Sequence, residues 1–398
     1  MSPICWTRNN KDWLIPFVLV FAAQFFSILV NTLFINLPHF ILNQGGTLSD
    51  IGLVAIAGGA GTLLVRPGAG WLTDRKGRRV VFLCGSIVHA LATSSFLLID
   101  HYGPSLLVAR ALQFAGQAAL TGAMMTVASD LLPSPYRTRG FAVFMMTGMG
   151  ALGIGPFLGQ VLIELGTFKL VVITSCALAW LCVGCLLGVG ETMGQDRTRG
   201  IGMLQLSYNK HLLPIWIAAF AFSLAYSVLP IFLDAFSEQV AAGLTGPYFL
   251  VFAVAAATVR LLFGNLPTKF GVNRVLMMSM VLLAAGLLCM NAQIGIAPFL
   301  ISAIFIGVAN GYLTPIFSLL TANRTDQSSR GRAFALLTTL MDLGPLIAGL
   351  LFGIVAERFG FSVVFYCAAA VATIGLLLFI NRERASERGL LQATAIEG

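Results

Sequence analysis

Long apolar runs follow one another along this chain at near-regular intervals, each ended by a short polar turn. A membrane-spanning helix needs about 20 largely apolar residues. Twelve runs meet that length, over residues 14–35, 51–72, 79–99, 104–128, 140–163, 168–190, 212–233, 244–267, 273–293, 296–320, 332–355 and 361–381. The turns are tight except for the middle one, residues 191–211, which holds Asp196, Arg197, Arg199 and Lys210. The pattern predicts an all-α membrane protein with an amino-terminal six-helix lobe over 1–190, a linker over 191–211, and a carboxy-terminal six-helix lobe over 212–398 that ends in a short tail. No cleavable leader is expected, because the stretch before the first run is short and polar and that run is long enough to stay in a membrane.

Composition supports lipid as the solvent. Hydrophobic residues make up 58% of the chain and charged ones 10%, against about 25% charged in a soluble domain. The net charge of +8 does not point to nucleic acid, because the cations sit in turns between apolar runs and not along one basic face. Of the 24 lysines and arginines, 19 fall on one set of alternate turns. Only Lys169 and Arg358 fall on the other set, and Arg66, Arg110 and Arg260 lie inside spans. The positive-inside rule then puts both termini in the cytoplasm, as expected for a multi-pass protein of an inner (plasma) membrane. Asp50, Asp100, Glu164, Asp234, Glu238 and Glu357 are expected on the external side.

The two halves repeat. Gly70-Trp71-Leu72-Thr73-Asp74-Arg75-Lys76-Gly77-Arg78-Arg79 joins the second and third spans, and a degraded copy, Gly264-Asn265-Leu266-Pro267-Thr268-Lys269-Phe270-Gly271-Val272-Asn273-Arg274, follows 194 residues later. Arg66 and Arg260 stand four residues before the first glycine of each copy, and Pro104 and Pro298 share the same offset. Arg139-Gly140-Phe141-Ala142 is similar to Arg332-Ala333-Phe334-Ala335 at an offset near 193. A six-plus-six repeat in one orientation predicts two lobes related by a pseudo-two-fold axis along the membrane normal.

These features resemble the major facilitator superfamily over essentially the whole chain. The first loop matches that family's signature between helices 2 and 3 at nearly every position. On the fourth span, Arg110-Ala111-Leu112-Gln113 is similar to the Arg-x-x-Gln-Gly motif of the drug:proton antiporter branch, with Phe114 where glycine is expected. On the fifth, Gly148-Met149-Gly150-Ala151-Leu152-Gly153-Ile154-Gly155-Pro156-Phe157-Leu158-Gly159 is similar to the signature of twelve-helix exporters, with Gln160 in place of the last glycine. On the eleventh, Met341-Asp342-Leu343-Gly344-Pro345 resembles an element of some bacterial exporters. The resemblance implies the fold of that family and transport by alternating access, and it names no substrate.

It also implies a cytoplasmic gate of Gly70, Asp74, Arg75, Gly77, Arg78 and Asp130. Asp74 would approach the positive N-terminus of the eleventh helix near Gly331 and Arg332, and Arg78 would pair with Asp130 at the end of the fourth. Together they would latch the lobes shut on the inside; the bland alternative is a solvated turn. The second loop has Thr268 where the acid belongs, so its latch is expected to be weaker. Gly148, Gly155, Pro156 and Gly159 read as a hinge on the fifth helix, because small residues allow close approach in lipid and proline removes a backbone bond; ordinary tight packing is the alternative.

Intramembrane charges are functional candidates by default, because each costs at least about 2.5–3.5 kcal/mol at bilayer depth. Asp342 falls about 15 Å into its span and reads as the only acid so placed, hence a proton carrier or else a structural carboxylate. Arg110 is a candidate for tuning proton transfer or for binding an anion. Arg66 and Arg260 are either paired anion ligands or braces, and their fixed spacing to the loops favours braces. The helices that line the cavity in the family are 1, 4, 7 and 10. Carried onto this chain they offer Gln24, Asn31, Gln113, Gln117, Tyr226, Asn310 and Tyr312, which can hydrogen-bond a substrate without a fixed charge.

Nothing predicts an enzyme. His39, His89, His101 and His211 are far apart with no metal-ligand spacing, Cys182 and Cys185 form a CxxC inside an apolar helix with no second pair, and no phosphate-cradling loop occurs. No metal and no cofactor are expected. The favoured reading is a secondary transporter that exports a small amphipathic anionic or zwitterionic compound (a drug, metabolite or siderophore-like molecule) in exchange for protons. The alternatives are uptake of a nutrient such as a sugar or organic acid by proton symport or uniport, and a non-transporting membrane sensor or scaffold. The expected partners are the substrate, protons and the lipid bilayer, and a monomer suffices because each lobe can bury its own core.

Overall fold

The computed structural model describes residues 13–133, 137–192, 208–209, 211–240, 244–291, 296–325 and 330–397. Among these, the side chains of residues 74, 137–139, 142, 240, 330–331 and 385–397 are outside the description. By internal contact the chain divides into two units, Met1–Gln195 with Gly243–Leu250, and Asp196–Ala242 with Val251–Gly398.

The first unit contains α1, which runs over Leu14–Leu33 and continues through a tight turn at Phe34–Asn36 into Leu37–Asn43. It is followed by α2 (Leu48–Lys76), α3 (Arg78–Ser95), α4 (Pro104–Leu131), α5 (Arg137–Leu165) and α6 (Phe168–Leu187). The second contains α7, in two pieces, Leu213–Tyr226 and Val228–Val240, then most of α8 (Thr245–Leu262), a short helix over Leu266–Phe270, and α9 (Val272–Cys289), α10 (Ile296–Asn323), α11 (Arg330–Phe359) and α12 (Phe361–Glu397). Among the described residues eleven helices are long and apolar enough to cross a membrane. The twelfth, α4, has the length but carries Arg110, Gln113 and Gln117 in its first half, which lowers its hydropathy.

Several boundaries differ from the sequence expectation for local reasons. The seventh span reaches Gln239, because its break at Ser227 falls just before Pro230, which the first turn of a helix tolerates. Asp234, expected in an external turn, therefore lies inside a helix and is 7% exposed. So Asp342 is not the only acid within a span. The eighth helix stops at Leu262, and Pro267 sits in the first turn of the short helix that follows. The twelfth continues as helix through the expected tail to Glu397.

The loop repeat has a backbone cause. Gly77 ends α2 and begins α3 at φ +100°, and Gly271 stands before α9 at φ +91°. Side chains rarely adopt that region. An added Cβ at Gly77 would also come within 2.5 Å of the Glu191 carboxylate, whereas one at Gly271 would meet nothing within 4 Å. Both alanine variants should lower thermal stability, by about 1–3 kcal/mol for the backbone alone. Gly77→Ala should be the worse of the two in a thermal-melt series, and equal losses would remove the Glu191 contact from the account.

Each unit packs its helices the same way internally. α1 packs on α5 and α6, α3 on α4 and α6, and α2 on α4. In the second unit α7 packs on α11 and α12, and α9 on α10 and α12, while Gly307 brings α10 against the backbone of α8 at Phe252. Glycines set the closest approaches. A Cβ at Gly85 of α3 would lie 2.9 Å from the carbonyl oxygen of Gly116 on α4, and one at Gly116 would lie 2.7 Å from that of Gly85. The outer faces remain apolar, with Leu64 81% and Met278 66% exposed, as expected where lipid is the solvent.

Candidate functional site

The polar groups of the first unit gather on α1, α3 and α4. Arg110, one turn and a half into α4, is 8% exposed. Its Nη1 donates to Gln113 Oε1 at 2.6 Å, and its Cζ lies 5.1 Å from the ring centroid of Phe34 and 4.6 Å from that of Phe114. Gln113 Nε2 in turn donates to Thr93 Oγ1 at 3.0 Å, and Thr93 donates to the carbonyl of His89 at 2.7 Å. His89 Nδ1 lies 2.9 Å from the carbonyl oxygen of Gln113. His89, Thr93 and Gln113 are all fully buried. Gln113, read as a substrate ligand, is thus engaged by its own unit. His89 and Thr93 were missed, since a lone histidine on an apolar span gives no sign of its partner.

On α1, Asn31 Nδ2 donates to Gln117 Oε1, and Gln117 Nε2 donates to the carbonyl of Ser27 at 3.4 Å. The amide oxygens of Gln24 and Asn31 and the hydroxyl of Ser27 are buried with no partner among the described residues. They follow one another along a single face of α1. The glycines of α5 meet this helix lower down. Side chains at Gly155 and Gly159 would collide with Thr32 and Asn36, while one at Gly148 would make only ordinary contact with Ile28 at 3.7 Å. Asn36 Nδ2 donates to the carbonyl of Pro156 at 3.2 Å and Thr32 Oγ1 to that of Ala151 at 2.9 Å. Pro156 therefore sits in a continuous helix pinned against α1.

The loop residues form a second cluster. Arg78 pairs with Asp130, Thr192 Oγ1 donates to Asp130 Oδ2 at 3.0 Å, and Arg75 lies over Trp71 with Cζ 4.4 Å from the ring centroid. Glu191 accepts from the backbone N–H groups of Arg78 and Arg79, both at 3.0 Å. It caps the start of α3 from the end of α6, where charge and dipole agree. The sequence gives no sign of this role, because Glu191 stands first in the polar linker. Nothing lies within 4 Å of a Cβ built at Gly70. The Asp74 side chain lies outside the described residues.

The second unit places its polar groups differently. Arg260 Nε donates to the carbonyl of Gly311 at 3.1 Å, and Tyr312 OH donates to that of Phe263 at 3.0 Å, so both join α8 and α10. Arg66, its counterpart in the first unit, is half-buried on α2, and Asn310 half-buried on α10. Tyr226 stacks on Phe222, with centroids 5.7 Å apart. Asp342 is half-buried near the middle of α11. Beside it the carbonyl of Met341 accepts from Ser223 of α7, and a side chain at Gly344 would collide with that serine. The degraded loop has its own tie. Arg324, 194 residues after Asp130, grips Glu383 of α12 with bonds of 2.5 and 3.0 Å, and Asn273 Nδ2 donates to the same carboxylate at 2.9 Å. The polarity is the reverse of the Arg78–Asp130 pair, with the cation now at the end of the fourth helix of its half. Outside the spans, burial and the Asp50 carboxylate, which accepts from the phenol at 2.8 Å, raise the pKa of Tyr102.

Two like-packed units of long apolar helices, each holding polar groups in its interior, define a multi-pass membrane transport protein. The chain belongs to the Major Facilitator Superfamily, whose family model matches residues 19–257 and again 215–396. It is 26% identical to the multidrug resistance protein MdtG of Dickeya zeae over 98% of both chains. It is 22% identical to the staphylopine export protein of Staphylococcus aureus over 85% of this chain and 88% of the other. Its fold is similar to that of the nucleoside transporter NupG, with a TM-score of 0.78 at 12% identity over 92% of this chain and 99% of that one.

Proposed function

We propose that this transporter exports a small amphipathic anionic or zwitterionic compound (a drug, metabolite or siderophore-like molecule) in exchange for protons. It works as a monomer in an inner membrane with both termini in the cytoplasm. The two six-helix lobes, joined by the linker over 191–211, alternate access around a cavity lined by α1, α4, α7 and α10. Asp342 is the proton carrier, and the observation that carries this reading is its position. It is a half-buried carboxylate at mid-helix, beside the close approach of α11 to α7 at Ser223. Gly70, Asp74, Arg75, Gly77, Arg78 and Asp130 form the cytoplasmic gate, with Glu191 holding the start of α3. The names of MdtG and the staphylopine exporter support the outward direction.

Uptake by proton symport is the second reading. It is favoured by Gln160, which stands where the exporter signature ends in glycine. The test is reconstitution in liposomes with a trapped pH-sensitive dye, an imposed proton gradient, and a panel of drugs, chelators, sugars and organic acids. Proton flux that appears only with substrate supports coupling. Downhill movement of a panel member without proton flux would make the protein a uniporter.

A further inference from the structure

Arg110 is a buried guanidinium that pairs with no carboxylate among the described residues. Of its donors only Nη1 has a partner, Gln113. Its other donors have no hydrogen-bond partner among the described residues. The cation is held in place by a closed ring of hydrogen bonds. Gln113 binds Thr93, Thr93 binds His89, and His89 returns to the backbone of Gln113. A positioned fork of N–H donors is the shape that fits a carboxylate in two parallel bonds, and a charge at this depth needs a counter-charge from somewhere.

The surroundings are aromatic. Phe34 and Phe114 turn their ring faces to the guanidinium. Phe34 also packs on Phe96 at 4.7 Å and Phe168 at 6.0 Å. Phe114 occupies the position where the motif beginning at Arg110 would carry glycine. It has room there because Gly58 of α2 lies beside it, with a Cβ at Gly58 coming within 3.1 Å of the ring. The ring over the cation is thus a feature of this chain, accommodated by a second helix.

We propose that Arg110 is a preformed anchor for the carboxylate of an aromatic acid, and that Phe34 and Phe114 select the aromatic body attached to it. His89, Thr93 and Gln113 are positioning residues that act through the guanidinium. The inference rests on the export reading above and narrows its substrate class.

The test uses the purified full-length protein in detergent, with benzoate, benzamide and cyclohexanecarboxylate as probes and the ligand-induced shift in thermal midpoint as readout. Benzoate should stabilise the wild type and benzamide should not, with cyclohexanecarboxylate in between. Arg110→Lys keeps the charge but loses the fork, and should weaken the apparent affinity for benzoate at least about tenfold. Phe114→Gly should keep carboxylate binding and lose the preference for benzoate over cyclohexanecarboxylate. His89→Ala should weaken benzoate binding, with the benzoate-to-benzamide preference reduced. Equal stabilisation by benzoate and benzamide, or a benzoate response unchanged in Arg110→Lys, overturns the proposal. Liposome flux measured in parallel separates the two readings. A protein that transports but ignores carboxylates loses the anchor alone, and one that binds benzoate but moves nothing loses the export reading alone.

Discussion

Asparagine in place of Asp342 should abolish transport driven by a pH gradient while leaving the protein folded and able to move substrate down its own gradient. The two side chains have nearly the same shape, so packing around Met341 and Gly344, where α11 meets Ser223 of α7, should persist. The amide cannot bind and release a proton. Each pH unit across the membrane supplies about 1.4 kcal/mol per proton carried, a tenfold accumulation ratio. In proteoliposomes with a one-unit gradient, the wild type should reach an accumulation ratio of at least about ten, and Asp342→Asn should fall to about one. Retained uphill transport would exclude Asp342 as the obligatory carrier. The same experiment on Asp234→Asn then examines a second acid within a span, which α7 holds at 7% exposure.

A single methyl group at Gly116 should destabilise the first unit, whereas the same change at Gly122, on the same helix, should not. A Cβ at Gly116 would lie 2.5 Å from the backbone nitrogen of His89 and 2.7 Å from the carbonyl of Gly85. The obstruction is backbone, so α3 and α4 must move apart, and overpacking of this kind costs about 1–3 kcal/mol. At Gly122 the Cβ would meet nothing within 4 Å, and alanine is favoured over glycine in a helix by about 1 kcal/mol. The thermal midpoints of the two variants should therefore shift in opposite directions. A neutral Gly116→Ala would mean that α3 and α4 are farther apart than described.

Much of the architecture was legible because its causes are local. An apolar run of span length, a polar turn and a cluster of cations each act over a few residues, and the glycine at position 77 marks a turn whose backbone only glycine adopts easily. The partner of Arg78 was legible through the family resemblance. Glu191 was not, since an acid at the start of a polar linker looks like any other, and its capping of α3 spans more than 110 residues. The hydrogen-bond partners of the polar span residues were not legible for a related reason. A polar side chain in a span can face a ligand or a neighbouring helix. Gln113, Arg260 and Tyr312 are bonded to neighbouring helices, while Gln24 keeps a buried oxygen without a partner among the described residues.

The sequence alone determined the membrane class, the succession of long helices, the internal repeat, and Asp342 and Arg110 as charges within spans. Hydropathy and turn chemistry suffice for these. Tertiary structure decided that Arg110 is held by His89, Thr93 and Gln113 between two phenylalanines, that Asp234 is buried in a helix, and that the second half ties its end with Arg324 and Glu383. In a soluble protein the apolar stripe of a helix reveals which side turns inward. Here lipid and core are equally apolar, so helix rotation is set by glycine contacts and long-range hydrogen bonds that become visible only when the helices are packed.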